Sequence, residues 1–573
     1  MQQLMTVRGE NLKDTPWDRY PRPQMRRDLW MNLNGDWEFA AGEPDFDGKT
    51  IRVPFCPESA LSGVGQHFGE GTALWYRRKL VLPEGFNRGR VLLHIGAADQ
   101  RAEVYVNGTL TGSHEGGYEA FRVDITDVLQ EENEIRICCR DDLKDQSFPY
   151  GKQTKNRGGM WYTPVSGIWQ TVWLESVPET YIEKLKVENR GYSVTISTVP
   201  ALDGRVIVKD LGEFELRNGS VTVTPENPQL WSPENPHLYE FTVETEEDRV
   251  ESYFALRSLE IRKVGDHPRL CLNGKPYFFH GVLDQGYWPD GILTPAAPEC
   301  YDDDILATKS LGFNTLRKHI KVEPEEFYCR CDKLGMIVFQ DMVNNSDYNF
   351  IRDTALPTVL PGYQKRSDKN LHPDETHRRR FLEGMKATVE QLQNHPCICY
   401  WTIFNEGWGQ FDADEVYEQF RKLDDTRFID ATSGWFRREK SDVDSRHVYF
   451  RKVRLRGDGK KPLILSEFGG KTLRMEGHVF DPDRTYGYGG CKTAEELNKG
   501  LETLYLEEVL PCIRHGLCGA VYTQVSDVEE EINGLMTYDR RVIKPDIHRM
   551  QAVAAALQQA ILEKEVANPD KIG

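Results

Sequence analysis

Two glutamates stand where an apolar run stops. Residues 398–404 read Ile-Cys-Tyr-Trp-Thr-Ile-Phe and end at Asn405-Glu406; residues 462–466 read Pro-Leu-Ile-Leu-Ser and end at Glu467, before Phe468-Gly469-Gly470. A carboxylate just beyond a buried strand is costly unless it is paired or used. An ion pair explains one such residue; two in the same setting point to paired-carboxylate chemistry. One carboxyl group then protonates a leaving oxygen while the other attacks carbon or activates water, which is how glycosidic bonds are broken. Retention needs the pair about 5–5.5 Å apart, inversion about 6.5–9.5 Å. Beside this pair, the Asn405 amide suits a sugar hydroxyl, and Tyr449 can donate its hydroxyl to Glu467 and hold it ionised. A core tyrosine is the competing reading of Tyr449.

Such residues need a scaffold that brings strand ends together. From residue 264 onward apolar strand signals alternate with helical ones. The expected strands are 277–282, 314–317, 336–340, 398–404, 428–432, 447–450, 463–466 and 519–524. Helical patterns fall at 302–311, 324–334, 375–393, 412–423 and 494–515, with little helix between 428 and 466. Eight such units predict a (β/α)8 TIM barrel, whose catalytic face lies at the C-terminal strand ends. Those ends carry Asp284, Arg317, His319, Asp341, Asn405, Glu406, Trp435, Tyr449, Glu467 and Gln524. A doubly wound open sheet is the alternative, but no Gly-rich phosphate turn supports it.

Before the barrel the chain reads as β structure. Strands are expected at 36–40, 74–80, 90–95, 102–106, 134–139 and 169–174, with turns at Asn34-Gly35 and Asn107-Gly108, which predicts a jelly-roll sandwich over 1–180. A shorter set at 184–187, 193–197, 205–208 and 238–243 predicts an immunoglobulin-like sandwich over 181–263, leaving 264–573 for the barrel. Trp231 lies in a proline-rich connection between late strands of the second sandwich.

Bulk properties narrow the function. A net charge of -18 disfavours nucleic acid and anionic lipid. No apolar run approaches the length of a membrane span, and the N-terminus shows no secretory signal. The 12 cysteines include an adjacent pair at Cys138-Cys139 and form no C-x-x-C pairs, so a reducing, cytoplasmic setting is expected. The 14 histidines form no H-x-H or H-E-x-x-H pattern; no residue is assigned to a metal and no cofactor is required, although a peripheral divalent cation is compatible with the chain.

At these residues the sequence resembles glycoside hydrolase family 2, which holds β-galactosidases, β-glucuronidases and β-mannosidases. The markers run along nearly the whole chain: Asn32-Leu33-Asn34-Gly35-Asp36-Trp37, Val104-Tyr105-Val106-Asn107-Gly108, Ser166-Gly167-Ile168-Trp169, Gly312-Phe313-Asn314-Thr315-Leu316-Arg317, Cys331-Asp332-Lys333-Leu334-Gly335, Asn394-His395-Pro396, Asn405-Glu406-Gly407 and Ser466-Glu467-Phe468-Gly469. The resemblance implies a jelly-roll sugar-binding domain, an immunoglobulin-like domain and a catalytic barrel. It also implies double displacement, with Glu406 as acid/base and Glu467 as nucleophile. Arg317, Asn405 and Tyr449 match family site residues, and His319 lies one position off a family histidine. A homo-oligomer is common in the family and compatible here.

The sugar is read from one loop. Family β-glucuronidases carry Asn-x-Lys there to hold the substrate carboxylate; the matching positions here are Glu531-Ile532-Asn533, a lost cation and an added acid. Asn533-Gly534-Leu535 resembles β-galactosidases, yet Gly159 stands where those enzymes place an aspartate two residues before Trp161. Phe339-Gln340-Asp341-Met342 resembles β-mannosidases, without their Gly-rich segment. The expectation is a retaining exo-glycosidase acting on a terminal β-linked sugar of a small glycoside or oligosaccharide, with a β-galactoside first and a glucuronide, mannoside or arabinoside as alternatives. The rival classes are a non-catalytic carbohydrate-binding protein and a metal-dependent isomerase on the same fold.

Overall fold

The structure, a computed structural model, describes residues 4–142, 145–360 and 367–563. The alternating N-terminal segments pair into two antiparallel sheets. One orders Thr50–Val53, Gly35–Ala41, Leu74–Leu80, Asn133–Arg140, Arg101–Val106 and Thr109–Glu115; the other orders Trp30–Asn32, Val172–Val177, Arg90–Ile95 and Phe121–Asp124. Every second side chain turns inward, so Trp37, Ile51, Tyr76, Val104 and Ile137 meet Leu93, Ile95 and Leu174 in one core. The turn at Asn107-Gly108 has φ of +50° and +80°, the pair of positive angles that a two-residue hairpin demands.

The second sandwich faces Lys184–Arg190, Ser193–Val199 and Ser220–Val223 against Gly212–Leu216, Gly204–Val208, Tyr239–Thr245 and Arg249–Phe254. A hairpin, Leu259–Val264 with His267–Leu272, leads from it toward the barrel.

Eight parallel strands follow: β1 Phe279–Asp284, β2 Thr315–Lys318, β3 Ile337–Asp341, β4 Ile398–Asn405, β5 Phe428–Ser433, β6 Asp444–Val448, β7 Leu463–Gly469 and β8 Leu517–Thr523. They hydrogen-bond in the order β5-β4-β3-β2-β1-β8-β7-β6. The remaining seam, β5 to β6, closes through the Asp442 amide on the Ile429 carbonyl at 3.0 Å and through Ser433 and Ser445, 3.4 Å apart. Strands buried on both faces read as continuous apolar runs, as β4 and β8 do. Helices α1 Glu299–Ser310, α2 Glu325–Leu334, α3 Glu375–Leu392, α4 Ala413–Leu423, α5 Ala494–Glu502 and α6 Ile547–Leu562 cover the outside, and among the described residues none lies between β5 and β7.

Four expected strands shift. The sixth strand begins at Asp444 rather than at 447 and ends at Val448, because Phe450 is left-handed (φ +58°). The first starts at Phe279, not at 277, and Gln524 lies just past the end of the eighth. The strand expected at 169–174 runs over Val172–Val177. Trp169 leaves it to plug the seam with the barrel, its indole N–H donating to the Gly117 carbonyl at 2.8 Å. Trp231 does likewise from the second sandwich, donating to Asp332 O at 2.8 Å, and both indoles are fully buried. These aromatic contacts hold both sandwiches against the barrel that carries the strand-end glutamates.

Candidate active site

The guanidinium of Arg317, from β2, organises the barrel mouth. It is 1% exposed, and its Nε donates to Asp341 at 3.0 Å, its Nη1 to Glu467 Oε1 and the Ser466 carbonyl at 3.0 Å each, and its Nη2 to Asn405 Oδ1 at 2.8 Å. A planar fork matches these acceptors in a way a lysine cannot. Burial works against its charge, but Asp341 and Glu467 outweigh that and keep it ionised. Asp341 also takes His319 Nδ1 at 2.8 Å, and burial pushes that histidine down to about 4.

Glu467 ends its apolar run on β7. Its second oxygen accepts from the Tyr449 hydroxyl at 2.8 Å, and Tyr449 lies 2.8 Å from Thr523 Oγ1. Burial pushes the Glu467 carboxyl up, but the fields of His447 and Arg317, with His319 and Lys152 behind them, hold it at about 2. The group is an anion at neutral pH.

Glu406 is reached through a tight turn beyond β4. Its φ is +51°, that of Gly407 is +78°, and its amide donates to the Ser433 carbonyl at 2.9 Å. A left-handed non-glycine residue is strained by roughly 1–3 kcal/mol, a conformation met where a side chain must be aimed. Trp435 braces the turn, its indole N–H donating to the Glu406 carbonyl at 3.1 Å and to Asp353 O at 2.9 Å.

His447 bridges the glutamates. Nδ1 lies 2.7 Å from Glu406 Oε1, while Nε2 lies 3.0 Å from Ser433 Oγ and 3.6 Å from Glu467 Oε1. Oxygens of the two carboxylates stand within 4.8 Å of each other. That approach is closer than the roughly 6.5–9.5 Å at which an inverting pair leaves room for water. These three side chains are also near enough to share a cation, but Arg317 already supplies Glu467 with positive charge.

The expected residues therefore fall into three groups. Glu406, Glu467, Arg317, Asn405, Tyr449, Asp341 and His319 form one connected cluster. Asn405 keeps its Nδ2 buried without a partner among the described residues, which leaves a donor for a hydroxyl. Gln524 and Trp435 stand at the edge: Gln524 donates to Asn533 at 2.8 Å and leaves Oε1 unpartnered among the described residues. Asp284 is engaged elsewhere, its carboxylate taking Lys318 at 2.6 Å and the Gly286 amide at 2.9 Å within a buried ion network that includes Glu323.

The remaining walls come partly from the first sandwich. Trp161 stacks on Trp408 at 5.4 Å, Tyr348 meets both edgewise, and Tyr488 stacks on Tyr449 at 4.6 Å. Tyr162 donates to Glu531, whose other oxygen accepts from Asn533 at 2.9 Å. Lys152 lies over the Trp408 ring, 4.9 Å from its centroid. A cation from the first sandwich thus stands near the loop of Glu531. Sequence reasoning passed over His447 and Lys152. The first had a signal, since His447 and Tyr449 lie two apart and a strand puts them on one face; the second had none.

Comparison with known proteins agrees with this architecture. Residues 51–160 match the glycosyl hydrolase 2 galactose-binding domain-like family, 176–257 glycosyl hydrolases family 2, and 263–558 the TIM barrel domain of glycosyl hydrolases family 2. A β-galactosidase of Thermoanaerobacter pseudethanolicus is 26% identical over 70% of this chain, which spans 55% of that protein's length. Human β-glucuronidase is 26% identical over 70% of the chain and 67% of its own length. Among solved structures, a β-D-glucuronidase of Dictyoglomus thermophilum superposes with a TM-score of 0.73 at 21% identity, covering 94% of this chain and 98% of that one. A β-galacturonidase of Eisenbergiella tayi bound to galacturonate gives 0.66 at 18% identity, covering 94% and 99%. With its barrel profile matched over 263–558, more than half the chain, and both sandwiches in place, the protein belongs to glycosyl hydrolase family 2.

Proposed function

We propose that this protein is a retaining exo-glycosidase in which Glu467 is the nucleophile and Glu406 the acid/base. The observation that carries the reading is the spacing of the pair: carboxylate oxygens within 4.8 Å, one carboxylate gripped by Arg317 and Tyr449. Glu467 attacks the anomeric carbon while Glu406 gives its proton to the departing oxygen, forming a glycosyl ester. Glu406, now a carboxylate, takes a proton from water as that water attacks the same carbon, and Glu467 leaves as the anion its neighbours favour. Glu531, held by Tyr162 and Asn533, shares the field of Lys152 with the glutamate pair, which supports a walled pocket for a single terminal sugar over an open groove.

The relatives bear on the sugar. Several similar proteins are β-glucuronidases, including those of Paenibacillus borealis and human, and two similar structures hold galacturonate or a cyclophellitol-6-carboxylate aziridine. This favours a terminal β-linked hexuronide over the galactoside suggested by Asn533-Gly534-Leu535. The test is a panel of nitrophenyl glycosides, charged and neutral, with anomers of the product followed by NMR. Glu467→Gln is expected to lose all but traces of turnover, and the first-formed product to keep the β configuration. A fully active Glu467→Gln variant, or an inverted product, removes the proposal.

A further inference from the structure

The ammonium of Lys152 is a charge without an evident task in the fold. Lys152 follows the sandwich strand Asn133–Arg140 and extends into the barrel mouth, where the residue is 7% exposed. Its Nζ rests on the Trp408 indole. Among the described residues, none offers it an acceptor at hydrogen-bonding or ion-pair distance. The carboxylates that face it are Glu531 first, then Glu467 and Glu406, with Arg317 as the opposing cation. A buried ammonium with unfilled donors is expensive, and structures keep such groups where something else completes them.

Glu531 does not complete it. Both Glu531 oxygens are already occupied, by Tyr162 and by Asn533, and burial pushes that carboxyl up. Glu467 is satisfied by Arg317 and Tyr449, and Glu406 Oε1 by His447. What is left is a cation backed by an aromatic face and within the field of the glutamate pair. It lies beside the loop in which relatives with Asn-x-Lys hold an acidic sugar and in which this chain has Glu531-Ile532-Asn533.

We propose that Lys152 is a specificity-determining residue, the cation that receives the carboxylate of a terminal β-linked hexuronic acid. The sandwich thereby contributes the charge that the barrel loop lacks. The proposal rests on the retaining-glycosidase reading of the same pocket.

The experiment compares wild type, Lys152→Met and Lys152→Arg on nitrophenyl β-D-glucuronide, β-D-galacturonide, β-D-glucoside and β-D-galactoside. A charge-assisted contact predicts a loss of roughly 10- to 150-fold in kcat/KM on the preferred uronide for Lys152→Met. Its loss on neutral glycosides should be less than about 3-fold, with Lys152→Arg intermediate on the uronide. Equal losses on charged and neutral sugars, or a wild type that prefers neutral glycosides, overturn the assignment. Binding gives a readout independent of turnover: free D-glucuronate or D-galacturonate should raise the melting temperature of Glu467→Gln, and should not raise that of Glu467→Gln carrying Lys152→Met. No shift with either acid also overturns it. Because Glu467→Gln is run on the same panel, the two ideas fail separately. Uronide turnover that needs Glu467 but ignores Lys152 sinks this inference alone, whereas turnover that survives Glu467→Gln sinks the catalytic reading beneath it.

Discussion

Replacing Tyr449 with phenylalanine deletes one oxygen and little else, so its effect can be worked from the site. Glu467 sits at about 2, near two units under an ordinary glutamate, which is about 3 kcal/mol of preference for the anion. Charged neighbours account for most of this, against the opposing push of burial. The 2.8 Å bond from Tyr449 falls at the lower end of the range for hydrogen bonds to charged groups, about 1.5 kcal/mol. Burial and the nearby Glu467 hold the Tyr449 hydroxyl well above its ordinary range, so it remains a proton donor at every working pH. Without it the Glu467 carboxyl should rise by about one unit. Because the nucleophile works deprotonated and its pKa is depressed, the acid limb of kcat/KM should move toward neutral by that amount. The second chemical step should suffer more than the first. Glu467 gives up negative charge during attack and regains it on release, and the donor helps only the latter. Release of the glycosyl-enzyme should slow by about 10-fold, seen in stopped-flow as a burst of nitrophenol equal to the enzyme present, followed by a lower steady rate. An unmoved acid limb together with no burst would refute the idea that Tyr449 tunes the nucleophile.

Two other outcomes follow from the same geometry. Glu406→Gln should retain more activity on nitrophenyl than on methyl glycosides, because a good leaving group needs little protonation; a loss independent of the leaving group, in parallel assays, contradicts the acid/base role. Gly407→Ala would place a methyl group 2.5 Å from the Phe436 ring at a φ of +78°, a strain of roughly 2–5 kcal/mol. A lower melting temperature and a fall in kcat larger than the change in KM are expected, measured by calorimetry and steady-state rates.

Much of the barrel was legible because strands buried on both faces leave long apolar runs, and a polar residue closing such a run is conspicuous. That is how Glu406, Glu467 and Arg317 stood out. β6 was harder: Asp444–Val448 is short and polar, since Ser445 and His447 face neighbouring strands through hydrogen bonds rather than apolar packing. Asp284 occupied the right place in the sequence for a site residue, but its partner Lys318 is a neighbour in space that no local pattern announces. Trp169 looks like a strand residue in the sequence because apolar content cannot tell a sheet face from a seam between domains. Lys152 illustrates the same limit. The loop around Glu531 carries no positive charge in Glu531-Ile532-Asn533, while Lys152 approaches it from another domain.

The loop that carries Lys152, Trp161 and Tyr162 is anchored to the barrel as well as to its own sandwich: the Tyr150 hydroxyl donates to Ser346 O at 2.7 Å, and the Thr163 amide to Glu529 at 2.9 Å. On the proposed reading the barrel would supply the bond-breaking groups, and a neighbouring module would furnish part of the lining that meets the sugar. Mutations on that module can retune which sugar is accepted without disturbing Arg317 or the glutamates it aligns. If the proposal holds, the reactive pair and the face that chooses among substrates sit on different modules, so selectivity and chemistry could evolve at different rates within one chain.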